Sequence, residues 1–261
     1  MPLTFDNHSS EIESLLAEYP HTVASKLRDL DQSRYNTIPK TVAGRKAGGP
    51  SYLTKEEVIR LVEWKLSHGT FRPSLKKLVE SNSENDIRTA SVNAFSRNVN
   101  SKENVKTAME DLTKLKGIGP ATASLLLSVC HPEEVPFFSD ELYRWVFWET
   151  GKGKGWDRSI KYTPKEYLEM FERIKAKYQV RAVDLEKAAY VAGKKAAGKS
   201  SEGQKAGAAG KEVEKPIVGD KKRKAKDTEG AAAPVPKKAA SKSSKAATPG
   251  SRTSARLRQK T

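Results

Sequence analysis

Residues 115–129 read LKGIGPATASLLLSV, and the fold follows from the way that stretch is punctuated. Upstream, residues 103–114 are rich in Lys and Glu and have the composition of a solvent-facing helix. Gly117 stops it, the single apolar Ile118 follows, and Gly119 with Pro120 opens a second helix that is strongly apolar. Glycine at 117 and 119 permits backbone conformations and close approaches that a side chain blocks. The pattern predicts two helices joined by a tight turn, with Ile118 anchoring the turn in the core.

A helix N-terminus carries amides without intrahelical partners. Here these fall around Gly117, Gly119 and Ala121, where they can hold a phosphate without reading a base. Lys114 and Lys116 add positive charge, and Thr122 adds a side-chain donor. The competing reading is an ordinary helical pair whose Gly and Pro merely stop and restart the chain.

Working outward, Thr54 and Glu57 form a capping box ahead of Val58, Leu61, Val62 and Leu66, a helix that ends at Gly69. Pro73 begins another helix, and residues 84–95 form a third. Thr163, Pro164 and Glu166 form a second box, followed by Tyr167, Phe171, Ile174 and Tyr178 at helical spacing. A last helix spans about 183–191. Before the motif, Ser9 or Ser10 caps a helix reaching Glu18, residues 22–31 form a shorter one, and TVAGRKAGGP at 41–50 reads as a mobile connection. No stretch alternates as a strand does. The expectation is an all-α helical bundle divided into residues 1–50 (helices and a flexible basic linker), 51–192 (the core) and 193–261 (a tail).

Charge separates the tail from the rest. The chain of 261 residues carries 48 Lys+Arg against 32 Asp+Glu, a formal charge of +16. Residues 193–261 hold 19 of the basic and 6 of the acidic residues, so nearly all the excess is there. Without Phe, Trp or Tyr, that tail cannot bury enough apolar surface to offset its ordering entropy and is expected to be disordered. Lys221, Lys222, Arg223, Lys224 and Lys226 form a dense cluster, with Pro236, Lys237 and Lys238 a weaker one, as an address for a nuclear import receptor or a nucleic-acid tether would. There is no apolar run of membrane-spanning length and no signal-peptide layout at the N-terminus. The expected setting is intracellular, in the nucleus, with no membrane. The single cysteine, Cys130, and four scattered histidines argue against a metal or cofactor.

The motif Leu115, Gly117, Ile118, Gly119 and Ala123 resembles the helix-hairpin-helix DNA-binding motif. The continuation HPEEVPFFSDELYRWVF resembles the DNA glycosylase superfamily that bears the hairpin, in which an aspartate at a helix start follows the motif. The resemblance implies that Asp140 faces a flipped nucleotide, stabilising charge on the sugar or activating water as the base departs. It covers about residues 103–147. Three departures accompany it. Ala121 stands where bifunctional members carry a nucleophilic lysine, so strand cleavage through a Schiff base is not expected. Ser139 replaces an apolar residue, and Arg144 lies one residue closer to the aspartate than in most members. The cysteine ligands of the iron-sulfur branch are absent. The plain alternative for Asp140 is an acid stabilised in a helix's first turn.

Three functions compete. The first and favoured one is a nuclear, non-enzymatic DNA-binding protein contacting the phosphate backbone without sequence preference. The second is a monofunctional DNA glycosylase using Asp140, and the third a helical interaction scaffold marked by an apolar surface patch. Lys152, Lys154 and Arg158, set around Trp156 in GKGKGWDRSIK, are further candidate backbone contacts. Residues 142–148 read as a central buried helix, and the mixture from Trp64 to Pro73 as a helix end with a hydrophobic staple. Cys130 and His131 read as a buried thiol and a loop histidine.

Overall fold

Helix α8 (Pro120–Cys130) is the axis of the fold, and every residue from Ala121 to Val129 is buried. A helix apolar all round must be covered on all sides, and α8 is packed against five others: α3 (Ile38–Arg45), α4 (Lys55–His68), α6 (Glu84–Phe95), α7 (Lys102–Thr113) and α10 (Pro164–Lys177). Its two serines are satisfied inside. Ser124 Oγ accepts from the Phe138 amide at 2.9 Å, and Ser128 Oγ accepts from Arg34 at 2.7 Å.

The computed structural model describes residues 9–69, 72–148 and 155–206. All regular elements among them are helical. The remaining helices are α1 (Ser9–Thr22), α2 (Arg28–Gln32), α5 (Pro73–Glu80), α9 (Asp140–Val146) and α11 (Ala182–Ala206). Both capping boxes form, at Thr54/Glu57 and Thr163/Glu166. The stretch read as a connection is in part helical: α3 takes in Thr41–Arg45, and Arg45 reaches forward to the Tyr52 carbonyl and the Glu57 carboxylate. The last helix outruns its expected end by fifteen residues, to Ala206. Ala, Lys and Gln are strong helix formers and outweigh the scattered glycines there.

Residues 33–37 form a single π-helical turn between α2 and α3, and Arg34 in that turn is only 1% exposed. Such turns often accompany functional sites. The guanidinium meets Glu186 of α11 at 3.3 Å and lies over the rings of Tyr35 and Trp64. This ties the N-terminal helices to α11, against which α1 also packs.

Candidate functional site

Residues 114–119 connect α7 to α8. Gly117 has φ +77°, a left-handed conformation in which a Cβ would also lie 3.0 Å from the Leu78 Cβ and 3.1 Å from a Val79 methyl carbon. Ile118 is buried beneath the turn. Gly119 caps α8 in extended conformation, and a Cβ there would meet nothing within 4 Å. The amides of Gly117, Gly119 and Ala121 have no acceptor among the described residues. The Lys116 amide does have one, the side chain of buried Asn82 just after α5.

Gly117, Gly119 and Ala121 also line a pocket of about 310 Å³, within the range of small-ligand sites. Gly117, Gly119, Ala121 and Thr122 lie on one side of it, and Asp140, Glu141 and Arg144 from the first turns of α9 on another. Ser139 caps α9 by accepting from the Leu142 amide at 3.1 Å, which sets Asp140 as the first helical residue. Tyr162 donates to Asp140 Oδ1 at 2.6 Å, and Arg144 Nη1 lies 3.6 Å from Oδ2. At i+4, Arg144 stands one turn above Asp140 on the same face. The Asp140 side chain is 40% exposed, so it is neither sealed in nor wholly on the surface.

Tyr162 is held under strain. It is the only described residue other than glycine with positive φ, at +56°. Its ring packs on Phe138 and burial, followed by the Asp140 carboxylate, pushes its hydroxyl pKa up. A strained backbone that aims a hydroxyl at a pocket carboxylate is a pattern typical of functional sites.

The far wall is aromatic. Tyr19, Tyr35, Trp64, His68, Phe137 and Tyr190 line it, Trp64 and His68 stacking with centroids 4.4 Å apart. Two carboxylates fasten these rings. Asp31 accepts from Trp64 Nε1 at 2.7 Å and Tyr19 at 2.8 Å, and lies 2.9 Å from His68 Nε2; Glu186 accepts from Tyr35 at 2.7 Å. Burial pushes Asp31 up, but the hydrogen bonds from His68, Trp64 and Tyr19 outweigh it and leave the carboxyl below its ordinary range.

Of the other residues singled out in the sequence, Lys114 pairs with Asp111 at 2.7 Å with its side chain 70% exposed, and Lys116 is exposed. Arg158 is buried, its guanidinium 6.0 Å from the Phe147 ring centroid, and its carbonyl accepts from Arg144 Nε at 3.0 Å. It thus supports Arg144 from inside rather than standing on the surface. Lys152 and Lys154 lie outside the described residues, as do Lys221, Lys222, Arg223, Lys224 and Lys226. Cys130 and His131 are partly buried; desolvation pushes the thiol up to about 11 and the imidazole down. Among the described residues no group of acids, histidines and cysteine is arranged to hold a metal, and no helix is long and apolar enough to cross a membrane.

Sequence reading missed Trp64, Lys65, His68 and Arg72 as pocket residues. The available signal was Trp64 and His68 at i and i+4, one face of α4, followed by a basic residue at the next helix start. No family model, curated protein or solved structure matches the chain.

Proposed function

We propose that this chain binds DNA at the turn between α7 and α8 and takes one extrahelical nucleotide into the adjoining pocket, where Asp140 promotes hydrolysis of the N-glycosidic bond. The observation that carries the reading is the placement of Asp140 on the wall of a cavity whose rim is the turn itself. A backbone-binding protein needs the turn but not the cavity.

The roles follow from position. The free amides of Gly117, Gly119 and Ala121, with Lys116 beside them, take a phosphate at the α8 N-terminus. The sugar then faces Asp140, and the base enters the space bounded by Trp64, Phe137 and Tyr190, where π faces accept any base by stacking. Tyr162 and Arg144 fix the orientation of the Asp140 carboxylate, so that it meets the positive charge that develops on the sugar in the transition state, or takes a proton from the attacking water. Hydrolysis calls for no cofactor. The basic cluster from Lys221 to Lys226 serves nuclear import, and its replacement by alanines is expected to abolish nuclear accumulation of a fluorescent fusion.

The test is release of free base from a panel of duplexes, each with one damaged or mismatched base. The parent chain releases base, and Asp140→Asn is slower by about 100-fold or more. Equal rates, or no release by either, remove the enzymatic reading. The alternative, backbone binding alone, is favoured by the engagement of both Asp140 oxygens within the protein. It predicts salt-dependent binding of the same duplexes without base release.

A further inference from the structure

Three carboxylates line the pocket, and two of them are committed. Asp140 is engaged by Tyr162 and Arg144, and Glu186 by Tyr35 and Arg34. The third, Glu141, has no side-chain partner among the described residues and reaches back only to its own amide in the first turn of α9. The polar atoms of the aromatic wall are engaged as well: Tyr19, Trp64 and His68 are held by Asp31, and Tyr35 by Glu186. A planar ring entering there finds faces to stack on, while the hydrogen-bonding atoms along its edge still call for partners.

The fold makes room for Glu141. The side chain packs against Gly193 of α11, where an added Cβ would lie 2.7 Å from Glu141 Cγ and 3.4 Å from its Cβ. Glycine is a poor residue for a helix interior, so its presence at 193 works against α11 and in favour of the carboxylate. Tyr190 stands three residues earlier on the same face of α11 and bounds the space assigned above to the base. Burial first, and then the Glu141 carboxylate, pushes the Tyr190 hydroxyl up, which sets Glu141 beside that end of the pocket.

We infer that Glu141 reads the edge of the extrahelical base and selects bases that carry an exocyclic amino group. The inference deepens the nucleotide-binding reading above and depends on it. A carboxyl oxygen takes a hydrogen bond from an amino group in either protonation state, and the ionised form sets oxygen against oxygen where the base has a carbonyl instead. Carboxylate recognition of the cytosine amino group in a DNA groove uses the same pairing. Adenine, cytosine, guanine and their amino-bearing derivatives are therefore accepted, whereas uracil, thymine and hypoxanthine are disfavoured.

The experiment uses four duplexes of one sequence that differ at a single nucleotide: cytosine or uracil in one pair, adenine or hypoxanthine in the other. Each stands opposite an abasic analogue, so that no base pair has to be broken, and carries a 2′-fluoro sugar that retains the base during the measurement. Competition anisotropy with the full chain, against a fully paired duplex, cancels the contacts that depend on the backbone alone. The parent chain should prefer the amino-bearing member of each pair by about fivefold or more, the worth of one hydrogen bond. The preference should fall to within about twofold in Glu141→Gln, whose amide can turn to offer a donor or an acceptor. It should fall equally in Gly193→Ala, which leaves the carboxylate intact, favours the helix and displaces the Glu141 side chain. Equal or reversed affinities within a pair, both above that of the fully paired duplex, or a preference that survives either substitution, overturns the assignment to Glu141 and leaves nucleotide entry standing. Affinities for all four no higher than for the fully paired duplex overturn both.

Discussion

The side chain of Asn82 holds both backbone groups of Lys116: Oδ1 accepts from the amide at 2.8 Å, and Nδ2 donates to the carbonyl at 3.0 Å. Nδ2 also donates to the Val79 carbonyl at 2.9 Å, so one amide joins the end of α5 to the turn that opens α8. Replacing Asn82 by alanine leaves these partly buried backbone groups without their partner, at a cost of about 1–3 kcal/mol. The expected outcome is a lower urea midpoint, together with weaker duplex binding because the turn loosens.

The two turn glycines separate packing from binding. Gly117→Ala forces a side chain into a left-handed position, about 1–2 kcal/mol of strain, and against the backbone and side chains of α5. Its thermal midpoint should fall. Gly119→Leu has open space around its Cβ, so the fold should survive while the side chain bars a phosphate from the amides. Anisotropy titrations at several salt concentrations check this: affinity falls at fixed salt, with the melting curve close to that of the parent. An unchanged affinity removes the turn as the contact.

Tyr162→Phe removes the hydroxyl that orients Asp140 and keeps the ring on Phe138. Base release should slow by about tenfold, a fraction of the range known for positioned acid–base groups. Duplex affinity should be little changed, so single-turnover rates rather than binding curves are the measurement.

Burial lowers the His131 pKa, with Glu134 opposing and Lys46 assisting. A depressed folded value means that the unfolded chain binds the proton more readily. The contribution of this group is therefore complete above the unfolded value of about 6.5 and is lost as the pH falls through the lower folded value. Urea midpoints at pH 7.5 and 5.5 should differ more for the parent than for His131→Gln. Similarly, Cys130, with its thiol pushed up to about 11, should be alkylated far more slowly at pH 8 in the native protein than in urea.

Local chemistry was legible in the sequence. The capping boxes, the Ser139 cap and the left-handed Gly117 all depend on residues within four positions of one another, so a single strand of text contains them. The second pocket wall was not. Arg34 meets Ser128 and Glu186 across 94 and 152 positions, and Asp31 reaches Trp64 across 33. Each of these residues has an ordinary solvent-facing reading in its own helix, and nothing nearby announces a partner. Trp64 and His68 suffered the same fate, because a helix end with aromatic and basic residues is commonplace and only the approach of α1 and α11 turns it into a wall. The extended α11 was missed for a different cause: composition suggested a tail, whereas Ala and Lys propagate a helix once its first turns are docked.

The left-handed residue ahead of α10 sets two selective pressures against each other. Glycine at 162 would relieve the twist, but it would strip away the ring that packs on Phe138, and the half-exposed carboxylate of Asp140 would lose its brace. Substitution there for heat resistance is therefore self-defeating, because the packing lost with the ring outweighs the strain relieved, and on the glycosylase reading base release would slow as well.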